Sequence, residues 1–189
     1  MPTTEPKLDV HEVDAARWPD LQRLFESRGG PKNCWCMVWR GQPEDRKDKA
    51  SKKAAIERMV RADVPIGLLG YLSDQPVAWC SIAPRRTYRE LGGIVRAGEP
   101  EESVWSLVCF YISRELREQG MMKQLLHAAV GHARQRGACA VEAYPVDPDS
   151  PSYRFMGFIP AFAAYGFVEV GLAGSRRHVM RYDFAREVR

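Results

Sequence analysis

The chain has 189 residues, 45% of them hydrophobic and 28% charged, so it is long enough to bury a core and its composition argues against intrinsic disorder. Its formal net charge of +4 is too small for a typical nucleic-acid-binding protein, and no apolar run approaches the length of a membrane span. Without a basic and apolar leader at the start, we expect a cytoplasmic protein with one domain over residues 1–189 and flexible ends at 1–7 and 185–189.

The first half of the chain is predicted to contain two helices and three strands. Alternation of apolar and polar residues over 8–13 predicts a short strand. Helical spacing of apolar residues predicts a first helix from Trp18 and a second over 52–62. Two apolar runs, 67–72 and 76–83, are joined by three polar residues, which is typical of a hairpin.

The second half is predicted to contain a strand-helix-strand unit, a short helix and two further strands. The continuous apolar run 104–112 predicts a strand buried on both faces. The 3-4 spacing that follows predicts a helix ending at Gly137, and another buried strand is expected over 138–146. A short helix at 160–165 and two strands complete the chain. This order predicts an α/β (α+β) fold around a mixed sheet.

The turn between the strand 104–112 and the next helix has the features of an anion site. It reads Arg117, Glu118, Gln119, Gly120, Met121 and Met122, and Lys123 follows it. Gly120 lets the backbone approach a ligand closely, and the first amides of a helix have no intrahelical acceptors. Because those amides and the helix dipole favour negative charge, the turn predicts a phosphate-binding site. A plain strand-to-helix connection stopped by a glycine is the alternative.

The turn and its surroundings also follow a familiar order. Arg117 and Gly120 are separated by two residues directly after a buried strand, and a Gly-Phe pair begins at Gly166 near the end of the chain. In these features the sequence resembles the GCN5-related N-acetyltransferase (GNAT) superfamily over about residues 77–184. Met122 departs from the pattern, since that family usually has Gly or Ala there.

The resemblance implies a single-domain GNAT-like fold: a central mixed, mostly antiparallel sheet flanked by helices, with a splayed strand pair that binds acyl-CoA. It implies acetyl-CoA as the acyl donor and no metal. Pantetheine would face Phe110, Tyr111 and Ile112. The pyrophosphate would contact Arg117, Glu118, Gln119, Gly120, Met121, Met122 and Lys123. Because homodimers are common among similar proteins, the resemblance also implies a homodimer.

The catalytic groups are marked less clearly. One branch of the family places a Glu base where this chain has Ser106, and a serine there can only orient a water molecule. Many members use a Tyr acid at the position of Phe162. Period-2 alternation puts Glu142 and Tyr144 on one face of the strand 138–146, so Glu142 is the candidate base and Tyr144 the candidate acid. Alternatively, both side chains satisfy hydrogen bonds in the core.

The acceptor is expected near the aromatic residues Trp35, Trp39, Trp79, Tyr88 and Trp105. Aromatic faces can hold a cationic amine, although tryptophans more often belong to a core. We expect transfer to the amine of a small molecule, with no nucleic-acid or membrane partner. A protein or peptide N-acetyltransferase and a non-catalytic acyl-CoA sensor are the alternatives. Cys34 and Cys36 lack a second cysteine pair or a nearby His, so no metal site is expected there.

Overall fold

Seven strands form one open sheet in the computed structural model, which describes residues 6–184. They are β1 (Asp9–Glu12), β2 (Leu68–Leu72), β3 (Gln75–Pro84), β4 (Val104–Ile112), β5 (Ala140–Ala143), β6 (Val168–Ala173) and β7 (Arg177–Asp183). Their order in the sheet is β1-β2-β3-β4-β5-β7-β6. Only β4 and β5 pair in parallel, and the other neighbours pair antiparallel. The predicted mixed, mostly antiparallel sheet is therefore confirmed.

Helices cover both faces of this sheet. They are α1 (Trp18–Glu26), α2 (Lys49–Arg61), α3 (Met121–Gln135) and α4 (Ile159–Tyr165). Successive side chains of β3 point to opposite faces of the sheet. Trp79 packs into the core with α1 and α2, whereas Cys80 packs into the core with α3 and α4. Within the described residues, none of the helices has the length and apolar character required to cross a membrane.

Several element bounds differ from the predicted ones for local reasons. The second helix begins at Lys49 instead of 52, because the Asp48 carboxylate accepts a hydrogen bond from the Ser51 N–H (2.7 Å) and caps the helix. The strand predicted over 138–146 is shorter, since β5 ends at Ala143. Of the ends expected to be flexible, residues 1–5 and 185–189 lie outside the described residues, whereas the Pro6 carbonyl accepts a hydrogen bond from Gln124 (3.0 Å).

The strand β4 pairs with β5 along only the first half of its length. The two strands pair from Val104 opposite Ala140 to Leu107 opposite Ala143, and then diverge. After β5, the Val146 N–H instead donates to a carbonyl in the segment leading into α4, that of Gly157 (3.1 Å). Because Val146 turns to that segment, the second half of β4 keeps a free edge.

A β-bulge marks the point of separation. In the pairing of β3 with β4, Ser81 faces Cys109 and Ile82 faces Leu107, so Val108 is an extra residue. Consequently the consecutive side chains of Val108 and Cys109 both pack in the core with α1 and α2. The bulge thus turns Cys109 toward that face, next to the free edge of β4.

Candidate active site

A cavity of about 520 Å³ runs along the free edge of β4. The lining residues are Pro31, Cys34, Cys36, Val38, Trp39, Val108, Cys109, Phe110, Tyr111, Ile112, Arg117, Met122, Arg154, Phe155, Gly157, Phe158 and Ala161. One wall is therefore β4 itself, and the others come from the loop 31–39 and from the segment 154–161. The predicted pantetheine residues Phe110, Tyr111 and Ile112 all lie in this lining.

The backbone of β4 offers polar groups to this cavity. The Ser113 N–H donates to the Val77 carbonyl of β3 (2.9 Å), so alternation directs the backbone groups of Phe110 and Ile112 away from β3. The Arg117 Nε–H donates to the Ile112 carbonyl (3.1 Å) and so occupies the free edge at the last residue of β4. The Phe110 N–H is thus directed to the side of β4 on which the strands separate.

The turn before α3 has the backbone geometry of an anion cradle. Gly120 is the N-cap of α3 at φ +76°, and Glu118 also lies in the left-handed region at φ +63°. The first bond within the helix runs from the Gln124 N–H to the Gly120 carbonyl (3.2 Å). Hence the amides of Met121, Met122 and Lys123 precede it and have no acceptor within the helix.

The predicted phosphate residues are distributed around this turn. Arg117 and Met122 line the cavity along β4, whereas Gly120 and Lys123 line a second depression between α3 and the start of the described chain. Met121 packs into the core, and Gln119 donates from its side chain to the Glu115 carbonyl (2.8 Å). Glu118 is exposed. The cradle therefore consists of backbone amides with two cationic side chains beside it.

The predicted catalytic residues meet in a buried cluster. The Glu142 carboxylate is 0% exposed, and its Oε2 accepts hydrogen bonds from Arg85 (3.2 Å) and from the Tyr144 hydroxyl (3.1 Å). Its Oε1 accepts from Arg181 (3.0 Å), and the Ser106 hydroxyl lies 3.3 Å from that of Tyr144. Burial and the charge of Glu142 raise the pKa of Tyr144, so its hydroxyl stays protonated.

This cluster is separate from the cavity. None of Ser106, Glu142 and Tyr144 is among the described residues that line it. The loop between β3 and β4 covers the cluster: a Cβ on Gly93 would lie 2.2 Å from Glu142 Oε2 and 2.8 Å from the Tyr144 hydroxyl oxygen. Sequence reasoning brought Glu142 and Tyr144 together correctly, but did not identify their arginine partners.

The aromatic residues expected around an acceptor lie in different environments. Of those five, Trp39 alone is among the described residues that line the cavity. Trp35 and Trp79 are buried in the core with α1 and α2, whereas Trp105 packs on the other face, with its ring 5.5 Å from that of His132. Tyr88 stacks under the guanidinium of Arg40, 3.8 Å from the ring centroid.

Cysteines form a feature of the cavity that the sequence did not reveal. Cys34, Cys36 and Cys109 all line it, and the Cys36 and Cys109 sulfur atoms are 3.5 Å apart. Their separation of 73 positions concealed this contact. Among residues 6–184, no group of three or more His, Cys, Asp or Glu side chains is arranged to hold a metal ion.

The model of the acetyltransferase (GNAT) family matches residues 21–158, which include the cavity-lining half of β4 and the turn at Gly120. The chain belongs to this family. As a GNAT protein it is an N-acetyltransferase, and the expected resemblance is confirmed. No curated protein sequence matches the chain.

Solved GNAT structures share the fold at low sequence identity. The N-acetyltransferase PaiA of Thermoplasma acidophilum, in complex with coenzyme A, is 13% identical with a TM-score of 0.54, over 94% of this chain and 99% of that chain. AAC(6′)-Ib in complex with ribostamycin and coenzyme A is 14% identical with a TM-score of 0.60, over 94% and 93%. The ribosomal-protein-alanine N-acetyltransferase of Brucella melitensis is 18% identical with a TM-score of 0.55, over 94% and 100%.

Proposed function

We propose that this GNAT protein transfers the acetyl group of acetyl-CoA to the amine of a small molecule. The observation that carries the proposal is the cavity along the free edge of β4, which is continuous from Arg117 at the turn to Cys109 at the bulge. A phosphate-binding end and an extended backbone edge in one cavity suit a long ligand with a charged head and an amide-rich arm. Acyl-CoA has this form, and similar structures contain coenzyme A.

The chain's own groups suggest how such a donor is held. The amides of Met121, Met122 and Lys123 and the guanidinium of Arg117 would hold the pyrophosphate. The Phe110 N–H would donate to an acceptor on the donor, either an amide of the pantetheine arm or the thioester carbonyl. A donor to that carbonyl stabilises the oxyanion that develops during attack.

The cavity offers no carboxylate or imidazole that could take or give a proton, since the described lining residues include neither group. A free alkylammonium has a pKa of about 10, so the amine must lose a proton before it attacks. We propose that water takes this proton. The departing thiolate comes from a thiol with a pKa of about 8.5, so it leaves without a strong acid.

The enclosure of the cavity favours a small acceptor over a peptide. The loop 31–39 forms one wall, and the ring of Trp39 packs 6.2 Å from that of Tyr153, which precedes the lining segment 154–161. The Arg177 guanidinium stacks on Trp39, 4.3 Å from the ring centroid, and fixes this contact. Of the similar structures, AAC(6′)-Ib in complex with ribostamycin agrees with this choice, whereas the ribosomal-protein-alanine enzyme represents the peptide alternative.

Turnover tests this function directly. We expect the protein to release free CoA thiol from acetyl-CoA when a panel of small amines is added, and to release less with N-terminal peptides. The measurement is the rate of thiol appearance, with mass spectrometry of the acetylated product. Tight binding of acetyl-CoA without release by any amine or peptide would replace the enzyme by the acyl-CoA sensor.

Glu142→Gln tests the predicted base. We expect it to lower the melting temperature, because a neutral amide cannot satisfy the charges of Arg85 and Arg181, and to change kcat only a few-fold. Tyr144→Phe is the matched variant, since it removes only a hydroxyl from the same cluster. The measurement is kcat against pH together with thermal unfolding. A general base contributes about 10²–10⁴-fold; a loss of that size in Glu142→Gln at unchanged stability would establish the base role instead.

A further inference from the structure

Three thiols lie at one end of the cavity. Cys34 and Cys36 belong to the loop 31–39, and Cys109 lies beside the bulge of β4, three residues before Ile112, whose carbonyl accepts from Arg117. At about 3.3 Å per residue, Cys109 is about 10 Å along the strand from Ile112. The thiols therefore line the part of the cavity farthest from the turn at Gly120.

The loop presents Cys36 to Cys109 at the expense of backbone strain. Trp35 and Cys36 both adopt left-handed backbone conformations, at φ +46° and φ +53°, which side chains other than glycine rarely adopt. The surrounding core holds this turn: the ring of Trp35 packs 5.2 Å from that of Phe25, and the Trp79 Nε1–H donates to Cys36 Sγ (2.9 Å). As a result, Cys36 Sγ is held 3.5 Å from Cys109 Sγ.

The other cysteines have different surroundings. Cys34 Sγ donates to the Pro31 carbonyl (3.4 Å) within its own loop and also interacts with the Cys36 thiol. Cys80 packs in the core on the opposite face of the sheet. Cys139 Sγ lies 3.1 Å from the Ser103 hydroxyl, where β4 and β5 begin. Cys36 and Cys109 are thus the pair whose sulfur contact joins the loop 31–39 to β4.

We propose that Cys36 and Cys109 are an oxidation site that a peroxide converts into a disulfide. Each thiol gives up its proton, and the pair gives up two electrons as the S–S bond forms. The O–O bond of hydrogen peroxide accepts both electrons and breaks, and the two oxygen atoms leave as two water molecules. The hydrogen bond to Cys109 and burial raise the pKa of Cys36, so this pair reacts more slowly than an exposed thiolate.

The disulfide changes the cavity because the two residues belong to different lining segments, the loop 31–39 and β4. A disulfide has a sulfur–sulfur distance of about 2.05 Å, so the walls must approach each other from the present contact of 3.5 Å. The loop 31–39 is then joined covalently to β4. We expect acetyl-CoA to bind the oxidised protein at least about tenfold more weakly. This second consequence rests on the proposed donor, whereas disulfide formation does not.

Peptide mapping tests the site on the full chain. The reduced protein is treated with hydrogen peroxide, its remaining thiols are alkylated, and the digest is analysed without reduction by mass spectrometry. We expect a cross-linked peptide pair containing Cys36 and Cys109, a loss of two free thiols, and reversal by dithiothreitol. Cys109→Ala should abolish the cross-link, whereas Cys139→Ala should keep it.

Two results would overturn the proposal: absence of this cross-link in the wild-type chain, or a cross-link between Cys34 and Cys36 in its place. Titration of acetyl-CoA into the reduced and oxidised forms then tests whether the disulfide narrows the cavity. Equal affinities of the two forms would refute that consequence. If the reduced form fails to bind acetyl-CoA, the proposed donor is wrong, while the mapping still decides whether the oxidation site exists.

Discussion

Gly120→Glu is expected to weaken acetyl-CoA binding by at least about 100-fold, or ~2.7 kcal/mol. The substitution places a carboxylate at the N-cap of α3, where the pyrophosphate would lie. Two unit charges about 4 Å apart near a protein surface repel by about 4 kcal/mol, so charge alone accounts for this loss. The φ of +76° at Gly120 adds strain for any side chain. Isothermal titration with acetyl-CoA measures the effect.

Two variants separate the causes. Gly131→Glu adds the same charge to the same helix, at a position where a Cβ meets nothing within 4 Å, and should leave the affinity within about twofold. Gly120→Asn introduces a residue that tolerates the left-handed conformation and adds no charge. Its affinity for acetyl-CoA should therefore lie between those of Gly120→Glu and Gly131→Glu. Wild-type affinity in Gly120→Glu would rule out the turn as the phosphate site.

Arg181→Ala is expected to destabilise the protein by about 3–5 kcal/mol, because it removes the buried cation that the buried carboxylate of Glu142 and the largely buried one of Glu99 share. The Arg181 side chain is 1% exposed and bonds to Glu142 (3.0 Å) and Asp183 (2.8 Å), and also to Glu99. For a chain of this size, 1 kcal/mol corresponds to about 2–4 °C, so the melting temperature should fall by about 10 °C. Thermal and urea unfolding measure the loss.

Arg96→Ala is the matched control. Arg96 also bonds to Asp183 (3.0 Å), but its side chain is 45% exposed, and exposed ion pairs contribute about 1 kcal/mol or less. Both variants remove one arginine from the same network. Equal stabilities for the two variants would show that the burial of Arg181 has no energetic consequence.

The elements predicted best are those whose signals are contiguous in the sequence. The apolar run of β4, the turn at Gly120 and the periodicity of α3 follow each other within about thirty residues, so local physics was enough to predict this strand, turn and helix. The end of β5 was not predictable in this way. The chain after Ala143 leaves β4 because Val146 pairs with the segment before α4, and that pairing depends on tertiary structure.

The environment of the candidate catalytic residues shows the limit of local reasoning. Alternation alone placed Glu142 and Tyr144 on one face, and the structure has them in contact. A buried carboxylate needs a cation, but the chain has 28 Lys and Arg residues and alternation does not select Arg85 and Arg181. For the same reason, the contact between Cys36 and Cys109 was invisible, since it depends on how the loop folds over β4.

The bulge at Val108 also has a consequence for reading related sequences. Before it, Trp105 and Leu107 point toward α3; after it, Phe110 and Ile112 do, so the even and odd positions exchange sides within one uninterrupted apolar run. If the same residues ran on from Leu107 in a regular pleat, without the bulge, every later side chain of β4 would turn over, and Cys109 would point away from the α1 and α2 side. An alignment that slips by one position here would therefore look plausible by hydrophobicity, yet assign each wall of the cavity to the wrong residues.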